Sequence, residues 1–574
     1  MATDTCPPAT PSAELDRRLM AAVGRVTGAL SPTLAWLSYV DWIRHMAVAP
    51  GHQFELMQLA ISQRLSLQPY FLPWPVSGMV SQPAPSDPLP NWATWPYNLW
   101  RQSYDLSQQW WVKATTDVPG VSRHHSQVVR FAATELLKLY SPEHNPFTNP
   151  DVLRRTWDEW GANFARGALF ALDDAARQAL GQPTAGTDAF VVGRDVAVTP
   201  GDVVLRNDIM ELIHYHPRTP QVRPEPVLVV PAWIMKYYIL DLSPENSLIR
   251  YLLDQGYDVF CISWKNPGYA QRHLGMDDYL TDGFYKALDV VCATVPDQQV
   301  HALGYCLGGT LLGIAAAAMA RDGDNRLKSL SMLAAQTDFS EPGELSLFID
   351  ESQVTMLESV MADTGYLTAE QMAGAFKLLR SDYLVWDHWV NTYLMGQREP
   401  QTDLMAWNAD ATRMPACMHS QYLRRLFLDN DLAEGRYPVQ GRPVALNDIR
   451  VPVFSLGTTT DHVAPWRSVY KIHLLVSSEV TFVLTTGGHN AGVISQPGHP
   501  HRSFHRLTRG SHQNYLGPDE WLAHAGREEG SWWPAYAQWL NAHSSPATPR
   551  RRVSASRLPY PALYPAPGNY VLEK

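Results

Sequence analysis

The chain has 574 residues, of which 45% are hydrophobic and 18% charged, so it is long enough for more than one domain and its composition is that of a globular protein. The formal net charge of −10 argues against a nucleic-acid-binding surface, which is usually basic. The five cysteines are odd in number and follow neither disulfide nor zinc spacing, which favours the reducing cytoplasm.

Membrane and secretory signals are not expected either. Residues 1–15 contain no apolar run behind a basic start, so we expect no signal peptide. The longest run of small apolar residues, 311–320, is far shorter than the roughly 20 residues of a transmembrane helix.

Proline content and helical periodicity divide the first third of the chain. We expect a disordered Pro/Thr-rich tail over 1–14 and a short helical module over 15–65, followed by a Pro-rich linker over 66–96 and a further helical region over 97–190. A cluster of tryptophans at 92–111 has two interpretations: packing of the helices, which we favour, or docking on a hydrophobic polymer.

After residue 188 the pattern changes to short apolar runs that alternate with helical segments. Six runs are typical of buried strands: Val227–Trp233, Asp258–Trp264, Gln299–Tyr305, Ser329–Ala335, Val451–Gly457 and Val480–Thr486. Such alternation predicts an α/β catalytic domain over 191–545, with a parallel sheet covered on both faces. The long connection at about 336–450 predicts a cap insertion that folds over the site, and 546–574 are assigned to a C-terminal tail.

The pattern Gly304-x-Cys306-x-Gly308 lies directly between a predicted strand and an Ala-rich helix. This is the nucleophile elbow of the α/β-hydrolase fold, with cysteine in place of serine. A strained turn requires small residues two positions before and after the nucleophile, and the helix that follows directs its N-terminus at the site. The alternative is that Cys306 is a buried, inert thiol.

A cysteine nucleophile needs a base, and this fold orders its residues as nucleophile, acid and histidine. Asp461 and His489 each follow a predicted strand downstream, where a parallel sheet places its site. His462 is a weaker candidate for the base. Other residues have ordinary structural interpretations, as an exposed loop or as packed thiols, and predict no metal site: His499, His501, His505, Cys261 and Cys292.

Several further motifs occur in a fixed order: Val229–Leu242, Leu303–Thr310, Asp382–Trp386, Trp407–Thr412, Asp461–Trp466, Gly488–Val493, Gly530–Pro534 and Ala566–Val571. Together they resemble the polyhydroxyalkanoate synthases, or poly(3-hydroxyalkanoate) polymerases, from about residue 15 to the end. Residues 15–58 also resemble a module of the single-component, short-chain (class I) group.

The resemblance implies an acyltransferase that polymerises (R)-3-hydroxyacyl-CoA into polyhydroxyalkanoate and releases CoA, with no separate cofactor. Cys306 would be the acylated nucleophile, His489 the general base and Asp461 its partner. The backbone N–H groups of Leu307 and Trp233 are expected to bind the oxyanion. The resemblance further implies a homodimer at the surface of cytoplasmic polyester granules.

Three positions depart from the family pattern, Met235, Met418 and Gln421, and they concern substrate range and dimer contacts more than chemistry. Two other functions remain open. A hydrolase of the same fold would cleave a thioester or polyester with water, and a granule-coat protein would carry a relic site.

Overall fold

The computed structural model describes residues 11–71, 90–549 and 559–574. They form two compact units. The sheet unit takes its described residues from 1–29, 187–373 and 401–574, and the helical unit takes its own from 30–186 and 374–400. Residues 1–10 of the expected tail and residues 72–89 of the expected linker lie outside the described residues.

Helices make up the N-terminal third: α1 (Pro11–Val26), α2 (Pro32–Ala47), α3 (Pro50–Leu67), α4 (Tyr97–Thr115), α5 (Arg123–Lys138), α6 (Pro150–Asp158) and α7 (Ala162–Ala179). Helix α1 begins inside the expected 1–14 tail, and Glu14 in its first turn pairs with Arg17 at 2.7 Å and Arg18 at 2.8 Å. Helix α2 starts after Ser31, whose hydroxyl accepts a hydrogen bond from the Leu34 N–H, with proline at its first position.

Strands and helices then alternate: β1 (Gly201–Arg206), β2 (Met210–Tyr215), β3 (Gln221–Val222), β4 (Val227–Val230), α8 (Leu248–Asp254), β5 (Val259–Trp264), α9 (Met276–Asp278), α10 (Lys286–Thr294), β6 (Val300–Tyr305), α11 (Leu307–Asp322) and β7 (Leu327–Leu333). The insertion contributes α12 (Glu351–Thr364), β8 (Tyr366–Leu367), α13 (Ala369–Leu379), α14 (Asp403–Ala409), β9 (Met414–Pro415), α15 (Ala416–Gln421), β10 (Pro438–Val439) and β11 (Arg442–Pro443). The remaining elements are β12 (Val453–Thr458), α16 (Trp466–Tyr470), α17 (Ile472–Leu475), β13 (Val480–Thr485), β14 (Ser503–Arg509), α18 (Pro518–His524), β15 (Gly526–Glu529), α19 (Trp533–Ala542), β16 (Thr548–Pro549) and β17 (Tyr564–Pro565).

The central sheet has the strand order β15-β14-β13-β12-β7-β6-β4-β5-β2-β1-β17. Strands β5, β4, β6, β7, β12 and β13 pair in parallel and correspond to the six predicted runs, so the α/β prediction is confirmed. The flanking strands pair antiparallel, which makes the sheet mixed. These flanking strands were not predicted because they are less uniformly apolar than the buried parallel ones.

The insertion at 336–450 is divided between the two units. Its central part, 374–400, belongs to the helical unit. Arg398 pairs there with Asp173 at 2.8 Å and with Asp174 at 2.6 Å, and the Asn163 side-chain amide donates to the Leu394 carbonyl at 2.8 Å. These contacts to α7 explain why the segment groups with helices distant in sequence.

The segment expected as a C-terminal tail is structured over 559–574. Strand β17 pairs with β1 at the edge of the sheet, and Tyr570 and Val571 are buried. Among the described residues, none of the helices combines the length and apolar character needed to cross a membrane.

Candidate active site

Cys306 lies on the turn between β6 and α11, with φ of +52° and ψ of −124°. A non-glycine residue with positive φ is strained, and such strain is characteristic of functional turns. The Cys306 N–H donates to the Leu333 carbonyl at 2.9 Å, which anchors the turn to β7. A Cβ added at Gly308 would collide with the carbonyl oxygen of Val230, so the small residues of the motif are required by close backbone approach.

Helix α11 begins immediately after Cys306 and runs for 16 residues. Its first N–H groups have no partner within the helix, and its dipole favours negative charge at this end. The Gly309 and Thr310 N–H groups donate to the Cys306 carbonyl at 2.9 Å and 3.2 Å, so the helix begins directly at the turn.

Asp461 and His489 follow β12 and β13, and the fold brings them together. The distance between His489 Nδ1 and Asp461 Oδ2 is 2.7 Å. The other carboxylate oxygen accepts hydrogen bonds from the Val463 and Ala464 N–H groups, both at 2.8 Å. Burial alone would raise the pKa of Asp461, but the charge of His489 and these hydrogen bonds hold it below its ordinary value.

His489 is buried and lies close to Cys306. Burial alone would lower the pKa of His489, but its interactions with Asp461 and Cys306 raise the pKa well above the ordinary value. The pairing with Asp461 therefore favours the charged imidazolium form of His489.

The loop after β4 carries Trp233, which sequence reasoning selected for its backbone N–H. The Trp233 carbonyl accepts a hydrogen bond from the Thr412 hydroxyl at 2.6 Å, and the Trp233 ring lies 5.2 Å from that of Tyr279. Because a side chain at Gly308 would also meet Pro231, this loop passes directly beside the turn at Cys306.

A hydrogen-bonded chain beside the histidine was missed by sequence reasoning. The Tyr305 hydroxyl donates to the Asn490 side-chain oxygen, and the Asn490 amide donates to the Asn408 side-chain oxygen at 3.1 Å. The Tyr305 and His489 rings lie 5.6 Å apart. Tyr305 precedes Cys306 and Asn490 follows His489, and this adjacency is the one sign of them in the sequence. Nothing in the sequence spacing connects either residue to Asn408.

The three departures from the family pattern have structural roles. Met235 forms an isolated β-bridge with Ala411, and Met418 is buried. The Gln421 side-chain oxygen accepts a hydrogen bond from the Met276 N–H at 2.9 Å. Tyr422, which follows it, is partly buried, and burial raises the pKa of its phenol well above the ordinary value.

The alternative residues lie outside this arrangement. The His462 carbonyl accepts from the Glu344 N–H at 3.2 Å, and it is His489 that pairs with Asp461. His505 lies on β14 instead of in the expected loop. In the part of the chain that the structure describes, no cluster of three or more His, Cys, Asp or Glu residues could hold a metal ion. Burial raises the pKa of both the Cys261 and the Cys292 thiols.

Residues 225–494 match the sequence family described as alpha/beta hydrolase fold. The sheet, the strained turn after β6 and this match define an enzyme of the α/β-hydrolase fold. Residues 88–252 match the family described as Poly-beta-hydroxybutyrate polymerase (PhaC) N-terminus, and residues 10–52 match that described as Poly-beta-hydroxybutyrate polymerase N terminal.

Similar proteins show to which family of α/β-hydrolase-fold enzymes the chain belongs. The chain is 40% identical to a poly(3-hydroxyalkanoate) polymerase of Methylorubrum extorquens, over 87% of this chain and 83% of that one. It is 36% identical to the PhaC subunit of Rhizobium meliloti, over 83% of this chain and 77% of that one. It is also 36% identical to the PhaC subunit of Cupriavidus necator, over 78% of this chain and 76% of that one. The protein belongs to the poly(3-hydroxyalkanoate) polymerase family, whose members are acyltransferases.

Proposed function

We propose that the protein polymerises (R)-3-hydroxyacyl-CoA into polyhydroxyalkanoate and releases CoA, with Cys306, His489 and Asp461 as its catalytic residues. The observation that carries the proposal is the strained turn that presents Cys306 to an imidazole paired with Asp461 at 2.7 Å. The names of the relatives support the product class.

The first step is transfer of the acyl group to Cys306. The thiolate attacks the thioester carbonyl, the bond to the CoA sulfur breaks, and the CoA thiolate takes the proton held by His489. The backbone N–H groups of Leu307 and Trp233 stabilise the oxyanion that forms transiently. Exchange between two thioesters is nearly isoenergetic, which suits a thiol better than a hydroxyl.

The second step forms the ester. His489, now neutral, accepts the proton of the 3-hydroxyl group of an acyl unit, and that oxygen attacks the carbonyl of a neighbouring thioester. The carbon–sulfur bond breaks, an ester bond forms and a thiol is regenerated. Asp461 keeps the imidazole oriented and stabilises its charged form.

A single assay tests this proposal. The purified protein is given (R)-3-hydroxybutyryl-CoA, and the release of CoA thiol and the turbidity of the product are followed. Cys306→Ala should reduce CoA release at least about 100-fold because the covalent step is lost, and Cys306→Ser should be nearly as inactive. Cys292→Ala removes a partly buried thiol on α10 and serves as the matched control.

Two outcomes would count against the proposal. Activity retained in Cys306→Ala would exclude Cys306 as the nucleophile. Release of CoA with free hydroxyacid and without polymer would identify a hydrolase of the same fold instead.

The proposal includes the place of action. We expect the protein to act as a homodimer at the surface of polyester granules, since the product is insoluble and the growing chain stays with the enzyme. Membership of the single-component, short-chain group is also part of the proposal, supported by the resemblance of residues 15–58.

A further inference from the structure

The loop that carries Trp233 is held on one side by the segment that includes α14. The Trp233 carbonyl accepts from the Thr412 hydroxyl at 2.6 Å, and the Ile234 carbonyl accepts from the Thr412 N–H at 3.3 Å. Further along the loop, the Lys236 carbonyl accepts from the Trp407 indole N–H at 2.7 Å. These bonds fix the backbone carbonyls of the loop.

The side chain of Lys236 contacts the C-terminal segment of the chain. Only 3% of this residue is exposed, and its ammonium donates to the Glu573 carbonyl at 2.6 Å and the Tyr570 carbonyl at 3.3 Å. Burial lowers the pKa of Lys236 to about 8. A buried ammonium is costly unless hydrogen bonds compensate it, so Lys236 depends on these two carbonyls from a segment more than 300 residues away.

That C-terminal segment is itself firmly anchored. The buried carboxylate of Glu211 accepts hydrogen bonds from the Tyr564 hydroxyl at 2.6 Å, the Asn569 N–H at 2.8 Å and the Tyr570 N–H at 3.1 Å. A side chain at Gly568 would collide with the same carboxylate, and the φ of this glycine is +83°. The carbonyls that receive the ammonium are therefore held in place by the sheet.

We infer that the C-terminal segment 564–574 fixes the loop 231–236 through Lys236, and that Lys236 is a positioning residue for the Trp233 backbone N–H. The inference rests on the proposed function, in which that N–H stabilises the oxyanion. A donor contributes to catalysis only when it is already placed where the negative charge develops, so loss of an anchor should reduce turnover more than substrate binding.

Two variants remove the hydrogen bond between Lys236 and Glu573, one at its donor and one at its acceptor. Lys236→Met removes the donor with a side chain of similar length, and deletion of residues 573–574 removes the Glu573 acceptor. Each should lower kcat for CoA release about tenfold with little change in KM, because the oxyanion donor is displaced by a fraction of an ångström. The deletion also removes the Lys574 carbonyl, which accepts from the Arg413 guanidinium at 2.8 Å. Both variants nevertheless remove the contact between Lys236 and Glu573, so together they should lower kcat by less than the product of their separate effects.

Lys265→Met is the matched control. The Lys265 ammonium lies 5.3 Å above the Tyr570 ring, so this variant disturbs the same segment without touching the loop, and its kcat should stay unchanged. A second readout is independent of activity: the deletion should accelerate amide hydrogen exchange in residues 232–236.

The results separate this inference from the proposed function. If Cys306→Ala is inactive while the deletion variant and Lys236→Met keep wild-type kcat, the positioning role is wrong. Equal losses in Lys265→Met, or strictly additive losses in the double variant, would also overturn it because they indicate general destabilisation. If Lys236→Met does not fold, the deletion variant alone decides. Activity retained in Cys306→Ala would instead refute the proposed function.

Discussion

Two histidines are buried at opposite ends of the same sheet, and their environments give them opposite character. His301 is at the start of β6 and His489 follows the end of β13. Their exposed fractions are similarly small, 1% and 9%. Burial lowers the pKa of His301 to about 4, whereas the pKa of His489 is raised well above its ordinary value.

The difference lies in the hydrogen-bonding partners. The ring nitrogens of His301 lie 2.7 Å from the Ser329 hydroxyl and 3.0 Å from the Ser544 hydroxyl, which are neutral. His489 is paired with the carboxylate of Asp461 and lies close to the sulfur of Cys306. A buried histidine is thus neutral or charged according to whether an anion contacts it.

The largest effect is expected from Asp461→Asn, which gives His489 a neutral partner, as His301 has. Polymer growth should slow about 100-fold or more because the imidazolium is no longer stabilised and the tautomer changes. The first acylation should slow less, because a thiol is intrinsically nucleophilic. Rapid-quench measurement of acylation beside steady-state CoA release compares the two steps.

Asp258→Asn provides the control for this prediction. Asp258 also pairs with a histidine, at 2.8 Å from the Nε2 atom of His214, but away from Cys306. Near-normal polymer growth is expected in that variant. If acylation and polymer growth slow equally in Asp461→Asn, the prediction that Asp461 matters more for growth than for acylation is wrong.

The second prediction concerns His301 and the pH dependence of stability. Its pKa is about 4 in the folded protein and about 6.5 in the unfolded chain, so the unfolded chain binds a proton first as the pH falls. The stability present above pH 6.5 is therefore lost as the pH falls towards 4, by about 2 kcal/mol between pH 7 and pH 5. Urea unfolding at both pH values measures this loss.

His301→Gln should remove this part of the acid destabilisation because glutamine does not titrate and still reaches the two serines. His419 and His473, whose burial also lowers the pKa, to about 4 and about 3, continue to contribute in both proteins. The same loss of stability in wild type and variant would show that His301 is not held neutral by the fold.

The smallest effect is expected from Tyr305→Phe, which removes the hydrogen bond to Asn490 beside His489. We expect kcat to fall only severalfold, since one neutral hydrogen bond contributes about 1 kcal/mol. Tyr257→Phe is the control, because its hydroxyl bonds to Asn541 at 2.8 Å near His301. If both variants have the same kcat, the chain from Tyr305 to Asn408 does not position the histidine.

The sequence by itself determined the parallel core of the sheet, the turn at Cys306 and the order of the candidate residues. These features are local: a buried strand is a continuous apolar run, and the turn needs glycine two positions before and after Cys306. Asp461 and His489 were selected because each follows such a run, and the structure places them within hydrogen-bonding distance. Their catalytic roles remain predictions.

Only the tertiary structure decided the other features. The flanking strands, the assignment of 374–400 to the helical unit and the C-terminal segment on Glu211 depend on partners far apart in sequence. The same holds for Lys236 and for the opposite character of His301 and His489. A pKa or an anchoring contact depends on which groups meet in space, and no local pattern encodes that when the partners lie tens to hundreds of residues away.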